Sequence, residues 1–290
     1  MIKKLSQMQK DDIINNLGQT SLKAMLYEIS CYPSPGLVSP VSNGAHKDMD
    51  HFTFLDSIAA LAPFMYKFAE CGNSIMSPKG IFDKLRFIGL GAEDAMLETT
   101  KGINTYKGMI FLMGISVAAT AKAVFEKKSF EDISHIIKDM TRGIVDRELS
   151  KRKNIAGKDA TYGEKIYEKY NISGVRGEVE GGLSTVFKKS LPYYESIDYL
   201  DQQQRLVQTL LYIMSNCEDT NILHRHPIQK LQYVKDLATH ALDLGGMETI
   251  EGRDAINNLD FKFSKEKISP GGSADLLAIT IYFSMIKILM

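Results

Sequence analysis

The chain has 290 residues, 44% of them hydrophobic, enough to bury one large core. Lysine plus arginine and aspartate plus glutamate number 35 each, so the net charge is zero and no global field draws in nucleic acid or an anionic membrane. The three widely spaced cysteines, Cys31, Cys71 and Cys217, suit a reducing cytosol better than a disulfide framework and read as structural.

Residues 1–12 are polar and lack the apolar core of a secretory signal, so the expected location is cytoplasmic. Leu22, Met25, Leu26 and Ile29 mark a first helix, stopped by Pro33-Ser34-Pro35-Gly36. Leu55, Ile58, Ala59, Ala62 and Met65 mark a second. Ser77-Pro78 has the form of an N-cap with proline in the first helical position, and Ile81, Leu85 and Ile88 continue a third. Lys107 to Phe125 is apolar nearly all round and predicts the central helix. Ser129 with Asp132 opens a helix expected to run to about Lys151, where Lys151-Arg152-Lys153 complements its dipole. Further helices are expected over 206–214, 231–244 and 273–289. Met109 to Val124 and Leu276 to Met290 are apolar, but Lys122 and Lys287 interrupt them and both fall short of a spanning length, so they read as core. The pattern predicts an all-α fold, a single compact multi-helix domain over 1–290 with a central apolar helix.

Five segments concentrate polar and glycine residues beside apolar helices: SPGLVSPVSNGAHKDMD at 34–50, GINTYKG at 102–108, GVRGEVEGG at 174–182, DTNILHR at 219–225 and SPGGSADLL at 269–277. In the first, His46, Asp48 and Asp50 could bind a divalent cation or exchange protons; capping of the next helix is the simpler alternative. In the second, Asn104 and Lys107 stand at the mouth of the central helix, where a lysine opposes the dipole unless it meets a phosphate. The third sets Arg176, a bidentate phosphate fork, beside Glu178 and Glu180; a solvated loop with one ion pair is the plainer reading. The fourth joins Asp219, Asn221, His224 and Arg225, or simply an Asx cap with exposed charges. In the fifth, Gly271, Gly272 and Ser273 lead into a helix whose free amides could hold phosphate, with Asp275 placed to hold magnesium; equally, Ser273 is an N-cap and Asp275 complements the dipole. No segment is specific by itself.

In order, PGLV with NGAHKDMD and FTFLDS, then GINTYKG, GVRGEVEGG, DTNILHR and SPGGSADLL resemble the signature series of the triphosphoribosyl-dephospho-coenzyme A synthases, over about five-sixths of the chain. The resemblance implies an all-helical transferase that takes ATP and 3′-dephospho-coenzyme A, with magnesium, to adenine and the prosthetic-group precursor of an acyl carrier protein of the citrate lyase type or its malonate decarboxylase relative. Carried onto this chain, it implies a site drawn from these segments, in which the chemistry of that reaction points to Glu178, His46 and His224 as catalytic groups. Asn104, Lys107, Arg176, Glu180, Asn221, Arg225, Gly271, Gly272 and Ser273 would be substrate ligands, and Asp48, Asp50, Asp219 and Asp275 metal ligands. It implies no nucleic-acid or membrane partner and is compatible with a homo-oligomer. The chain departs from the family at Ser39, where an acid is frequent, at Tyr106, where histidine is frequent, and at His226-Pro227 after Arg225. Two other classes compete: a helical metal phosphohydrolase, although Lys47 separates His46 from Asp48, and a non-catalytic module that binds a carrier protein.

Overall fold

A computed structural model describes residues 4–150 and 161–290. Its helices, in chain order, are α1 (Lys10–Ile29), α2 (His51–Gly72), α3 (Pro78–Thr99), α4 (Lys107–Phe125), α5 (Asp132–Thr141), α6 (Tyr162–Tyr170), α7 (Gly174–Glu180), α8 (Leu191–Ser196), α9 (Gln202–Asn216), α10 (Thr220–Arg225), α11 (Ile228–Asp243), α12 (Ile250–Glu266) and α13 (Gly271–Leu289). No strand occurs among the described residues, so the all-α expectation holds.

Apolar periodicity explains the layout. From Met109 to Val124 every residue of α4 except Phe111 is buried, and α1, α2, α3, α5 and α13 pack round it. Its one buried cation, Lys122, is satisfied by the Ser74 carbonyl at 2.9 Å and by Glu126 at 3.0 Å. α13 is the second core helix, lying against α1, α4, α8 and α9. Both reach 19 residues and are apolar enough to cross a membrane, but most of each is buried inside the domain. All three cysteines are buried and unpaired.

Local caps set the helix starts. Asp50 and Thr53 form a reciprocal capping box on α2, and Ser77 caps α3 ahead of Pro78, as its sequence predicts. Elsewhere the structure corrects the reading. α1 begins twelve residues before Leu22, at Lys10. The helix after Ser129 stops at Thr141, because Gly143 turns the chain at a φ of +73°; a π-helical turn, Asp146–Ser150, follows. Lys151-Arg152-Lys153 lies outside the described residues. Residues 174–180 form α7 rather than a solvated loop, and five short or polar helices, α6, α7, α8, α10 and α12, lack an apolar stripe strong enough to announce them.

Candidate active site

The polar segments converge on the start of α13. Its N-cap, Pro270, offers no side chain to the free amides, and Ser273, three residues in, is not the cap. Asp219 supplies that function from another element. Its carboxylate accepts from the Ser273 amide at 2.7 Å, the Ser273 hydroxyl at 2.9 Å and the Gly272 amide at 3.2 Å, while also capping α10 through the Asn221 amide at 2.9 Å. Burial raises the Asp219 pKa and these hydrogen bonds oppose the rise. A Cβ on Gly272 would stand 2.9 Å from Asp219 Oδ1, so the close approach needs glycine there. Asn221 packs its amide against Gly271.

On one side of this junction opens a cleft of about 350 Å³, walled by α7, the turn after it, the 216–220 segment and α11. Glu178 faces it. Its carboxylate accepts from the Thr185 hydroxyl and from the Thr185 amide at 3.3 Å. Burial raises its pKa, partly offset by Thr185 and by the Lys189 cation. Cys217, bonded to Ser273 at 3.3 Å, is pushed up to about 12 by burial and is inert as a nucleophile.

On the other side lies a set of buried acids. Asp275, in the second turn of α13 rather than the first, receives no hydrogen bond from any described residue, and burial followed by the neighbouring Glu28 and Asp219 raises its pKa well above the carboxylate range. Glu28, on the apolar stripe of α1, is raised to about 8 by burial, against a hydrogen bond of 3.2 Å from the Tyr106 hydroxyl. A Cβ on Gly108 would come within 2.3 Å of Asp275 Oδ2, so the start of α4 and the body of α13 meet only because residue 108 is glycine.

The other predicted residues are spread around this centre. His46 is half-buried, its Nε2 2.9 Å from the Ser269 hydroxyl just before α13; burial and the Arg225 cation lower its pKa against the weaker pull of Asp48. His224, exposed, lies against the Tyr162 ring at 3.6 Å between centroids, and burial and Arg225 lower its pKa too. Asp48 and Asp50 are exposed, and Asp50 is spent on its capping box. Asn104 caps α4 through the Lys107 amide at 3.1 Å, while the Lys107 ammonium pairs with Glu93. Arg176 pairs with Glu148 at 2.7 Å, and Glu148 also holds Arg86. Glu180 is half-buried at the end of α7.

Magnesium typically takes one or two protein carboxylates and completes its shell with waters and substrate phosphates. Among the described residues no three His, Cys, Asp or Glu side chains converge tightly enough to hold a metal alone. Asp275 fits the sparser mode, being a buried carboxyl without a donor, whereas Asp219 already accepts four hydrogen bonds. Two members of the centre are not among the candidate site residues of the sequence. Glu28 is a lone glutamate one turn from Met25 on a buried face, and that misplacement of charge is its only sequence signal. Tyr106, at a position where the chain departs from the resemblance, is 2% exposed and anchors Glu28.

Carboxyls gathered against a polar cleft in the middle of an apolar bundle are expensive to bury, which marks a helical protein with a ligand-handling centre rather than a plain bundle. The sequence model of the family described as "CitG: ATP:dephospho-CoA triphosphoribosyl transferase" matches residues 14–289. A probable 2-(5″-triphosphoribosyl)-3′-dephosphocoenzyme-A synthase of Photobacterium profundum is 39% identical over 282 residues, covering 95% of this chain and 88% of its own. Proteins of the same description from Streptococcus equi subsp. zooepidemicus and Streptococcus mutans are each 34% identical, covering 95% and 97% of this chain and 98% and 99% of theirs. No solved structure matches the chain. The chain belongs to the ATP:dephospho-coenzyme A triphosphoribosyl transferase family.

Proposed function

We propose that this transferase breaks the bond between adenine and C1′ of the ATP ribose and joins that carbon to the 2′-hydroxyl of 3′-dephospho-coenzyme A, leaving the triphosphate in place. The products are adenine and 2′-(5″-triphosphoribosyl)-3′-dephospho-coenzyme A, the precursor of an acyl carrier protein's prosthetic group in the cytoplasm. Family membership across residues 14–289 carries this reading. The chemistry is that of glycoside cleavage through an oxocarbenium-like carbon rather than of phosphoryl transfer.

Glu178 is the proposed base. It faces the cleft from a glycine-flanked helix, and its raised pKa brings it nearer to the proton affinity a base needs at neutral pH. It would take the 2′-hydroxyl proton as the oxygen bonds to C1′ and adenine leaves with the electron pair of the broken bond. His46, beside the start of α13, and His224, beside Tyr162, are the candidate proton donors to the departing adenine; a lowered pKa makes either a stronger acid when protonated. Asn221 and Arg225 on α10, with the Gly271-Gly272-Ser273 turn, would meet the nucleotide directly. Lys107 and Arg176 would do so by exchanging their pairs with Glu93 and Glu148, with Asn104 and Glu180 beside them. Asp275 would hold magnesium, with Asp48 and Asp50 on the outer approach; the ion would neutralise triphosphate charge.

Incubation with ATP, magnesium and 3′-dephospho-coenzyme A, followed by chromatography and mass measurement, tests the reaction. Adenine and a product heavier by the triphosphoribosyl group are expected, and ADP or inorganic phosphate with unchanged acceptor would refute it. Glu178→Gln should lower kcat by roughly 10²–10⁴-fold with little change in ATP binding or melting temperature. In the unaltered enzyme, kcat/KM should fall on the acid side at a pH above the ordinary carboxylate range, because the raised pKa delays formation of the free base.

A further inference from the structure

Most cations near acids in this fold are already engaged. Lys79, Lys107, Lys122, Lys128, Lys230 and Lys287 each form an ion pair. Lys189 and Lys235 are the exceptions that matter, because both line the cleft beside Glu178 and neither pairs with a carboxylate among the described residues. They arrive from distant elements, Lys189 from the π-helical turn Val186–Ser190 and Lys235 from the middle of α11. Glu178 is the natural partner for Lys189, yet its oxygens are turned to Thr185. Two lysines therefore line one concavity, neither paired with a carboxylate among the described residues.

The rest of the lining says what they are for. Among the described residues no aromatic ring lines the cleft and its apolar contributors are few, among them Val175 and Leu276, so they offer no stacking surface to an adenine base. Its polar lining is mixed: the two lysines, the hydroxyls of Ser173 and Thr220 and the Asn216 amide offer donors, beside the carboxylates of Glu178, Glu218 and Asp219, of which Glu178 is turned to Thr185 and Asp219 to Gly272 and Ser273. At about 350 Å³ it stands at the small end of ligand pockets and cannot enclose two nucleotide substrates together. The chemistry that fits is a polyphosphate chain, compact, strongly anionic and rich in acceptors.

Resting on the transferase reading above, we propose that Lys189 and Lys235 form a polyphosphate subsite that holds a nucleotide substrate by its phosphate chain and presents the sugar to Glu178. Two groups share this chemistry, the triphosphate of ATP and the diphosphate of 3′-dephospho-coenzyme A. Phosphate bound there would raise the proton affinity of Glu178 further, coupling occupancy of the subsite to the readiness of the base.

Lys189→Gln, Lys235→Gln and the double variant test the subsite, with Lys→Arg at both positions as the charge-conserving control. KM for ATP and for 3′-dephospho-coenzyme A are measured separately, and calorimetry with inorganic triphosphate gives a readout that needs no turnover. Each glutamine variant should raise the KM of one substrate by roughly tenfold, as loss of a charged hydrogen bond entails, with kcat changed far less. The double variant should lose triphosphate binding and most of the salt dependence of that KM, and arginine should restore both. A rise confined to ATP assigns the triphosphate to the cleft, and a rise confined to 3′-dephospho-coenzyme A assigns its diphosphate. Unchanged KM values for both substrates, with triphosphate binding intact in the double variant, would overturn the subsite. Failure of the unaltered enzyme to release adenine would instead refute the reaction, and the calorimetric comparison would still decide the subsite.

Discussion

The two core helices α4 and α13 begin in opposite ways. α4 starts from its own sequence: Asn104, exposed and three residues back, caps the Lys107 amide at 3.1 Å. α13 starts from someone else's: Asp219, 2% exposed and 54 residues away from Ser273, holds that residue's amide and hydroxyl. A local exposed cap is a convenience that water can replace. A distant buried cap is a fixture, since water does not reach the donors it holds. The comparison separates an entrance from a hinge of the architecture, and it locates the centre where α10, α13 and the Glu178 cleft are tied by one carboxylate.

The largest test of that contrast is Asp219→Ala. It removes four hydrogen bonds to a buried carboxylate, leaving the Ser273 amide only the Pro270 carbonyl at 3.1 Å and the Ser273 hydroxyl only the Cys217 thiol at 3.3 Å, weakens the start of α10, and should cost about 3–5 kcal/mol, read as a shift of the urea midpoint. A cost under about 1 kcal/mol would show that α13 starts without its distant cap.

Glu28→Gln sharpens the comparison from beneath the helix starts. A carboxyl raised from 4.5 to about 8 keeps its proton in the fold where the unfolded chain has lost it, so the native state binds more protons across that window. Stability should therefore be greatest below about pH 4.5 as far as this group is concerned, and be lost as pH rises through about 8, by on the order of 5 kcal/mol. Glutamine should flatten that decline and raise the midpoint at pH 8 relative to the parent chain. An unchanged pH profile would show that Glu28 ionises normally.

Gly108→Ala is expected to cost about 1–3 kcal/mol, since its Cβ would enter the space of Asp275 Oδ2 and force the two core helices apart. The smallest effect belongs to Asn104→Ala, at about 0.5–1 kcal/mol, the ordinary worth of an exposed cap. If Asn104→Ala equalled Asp219→Ala in cost, burial would not be what distinguishes the two starts.

Much of this protein was legible in the sequence, and the reason is locality. Apolar repeats at 3.6-residue spacing revealed α2, α3, α4, α9, α11 and α13, and Ser77-Pro78 announced its helix start. The ordered polar segments pointed to the family that the comparison across residues 14–289 shows. Short-range chemistry did not announce α7 or α10, at seven and six residues, because helices so short are stabilised by what they pack on rather than by their own pattern.

Tertiary structure alone decided the use of each polar group. Asp219 and Asp275 look alike as acids in glycine-rich segments, yet one accepts four hydrogen bonds and the other none from the described residues. Glu28 and Tyr106 join the centre only because α1 and the start of α4 come together against α13. Lys189 and Lys235 share a cleft only because α11 folds back beside the turn after α7. Sequence specifies which faces are apolar, and so which helices form; proton affinity, pairing and access depend on burial and on neighbours distant along the chain, which exist only once those faces have met.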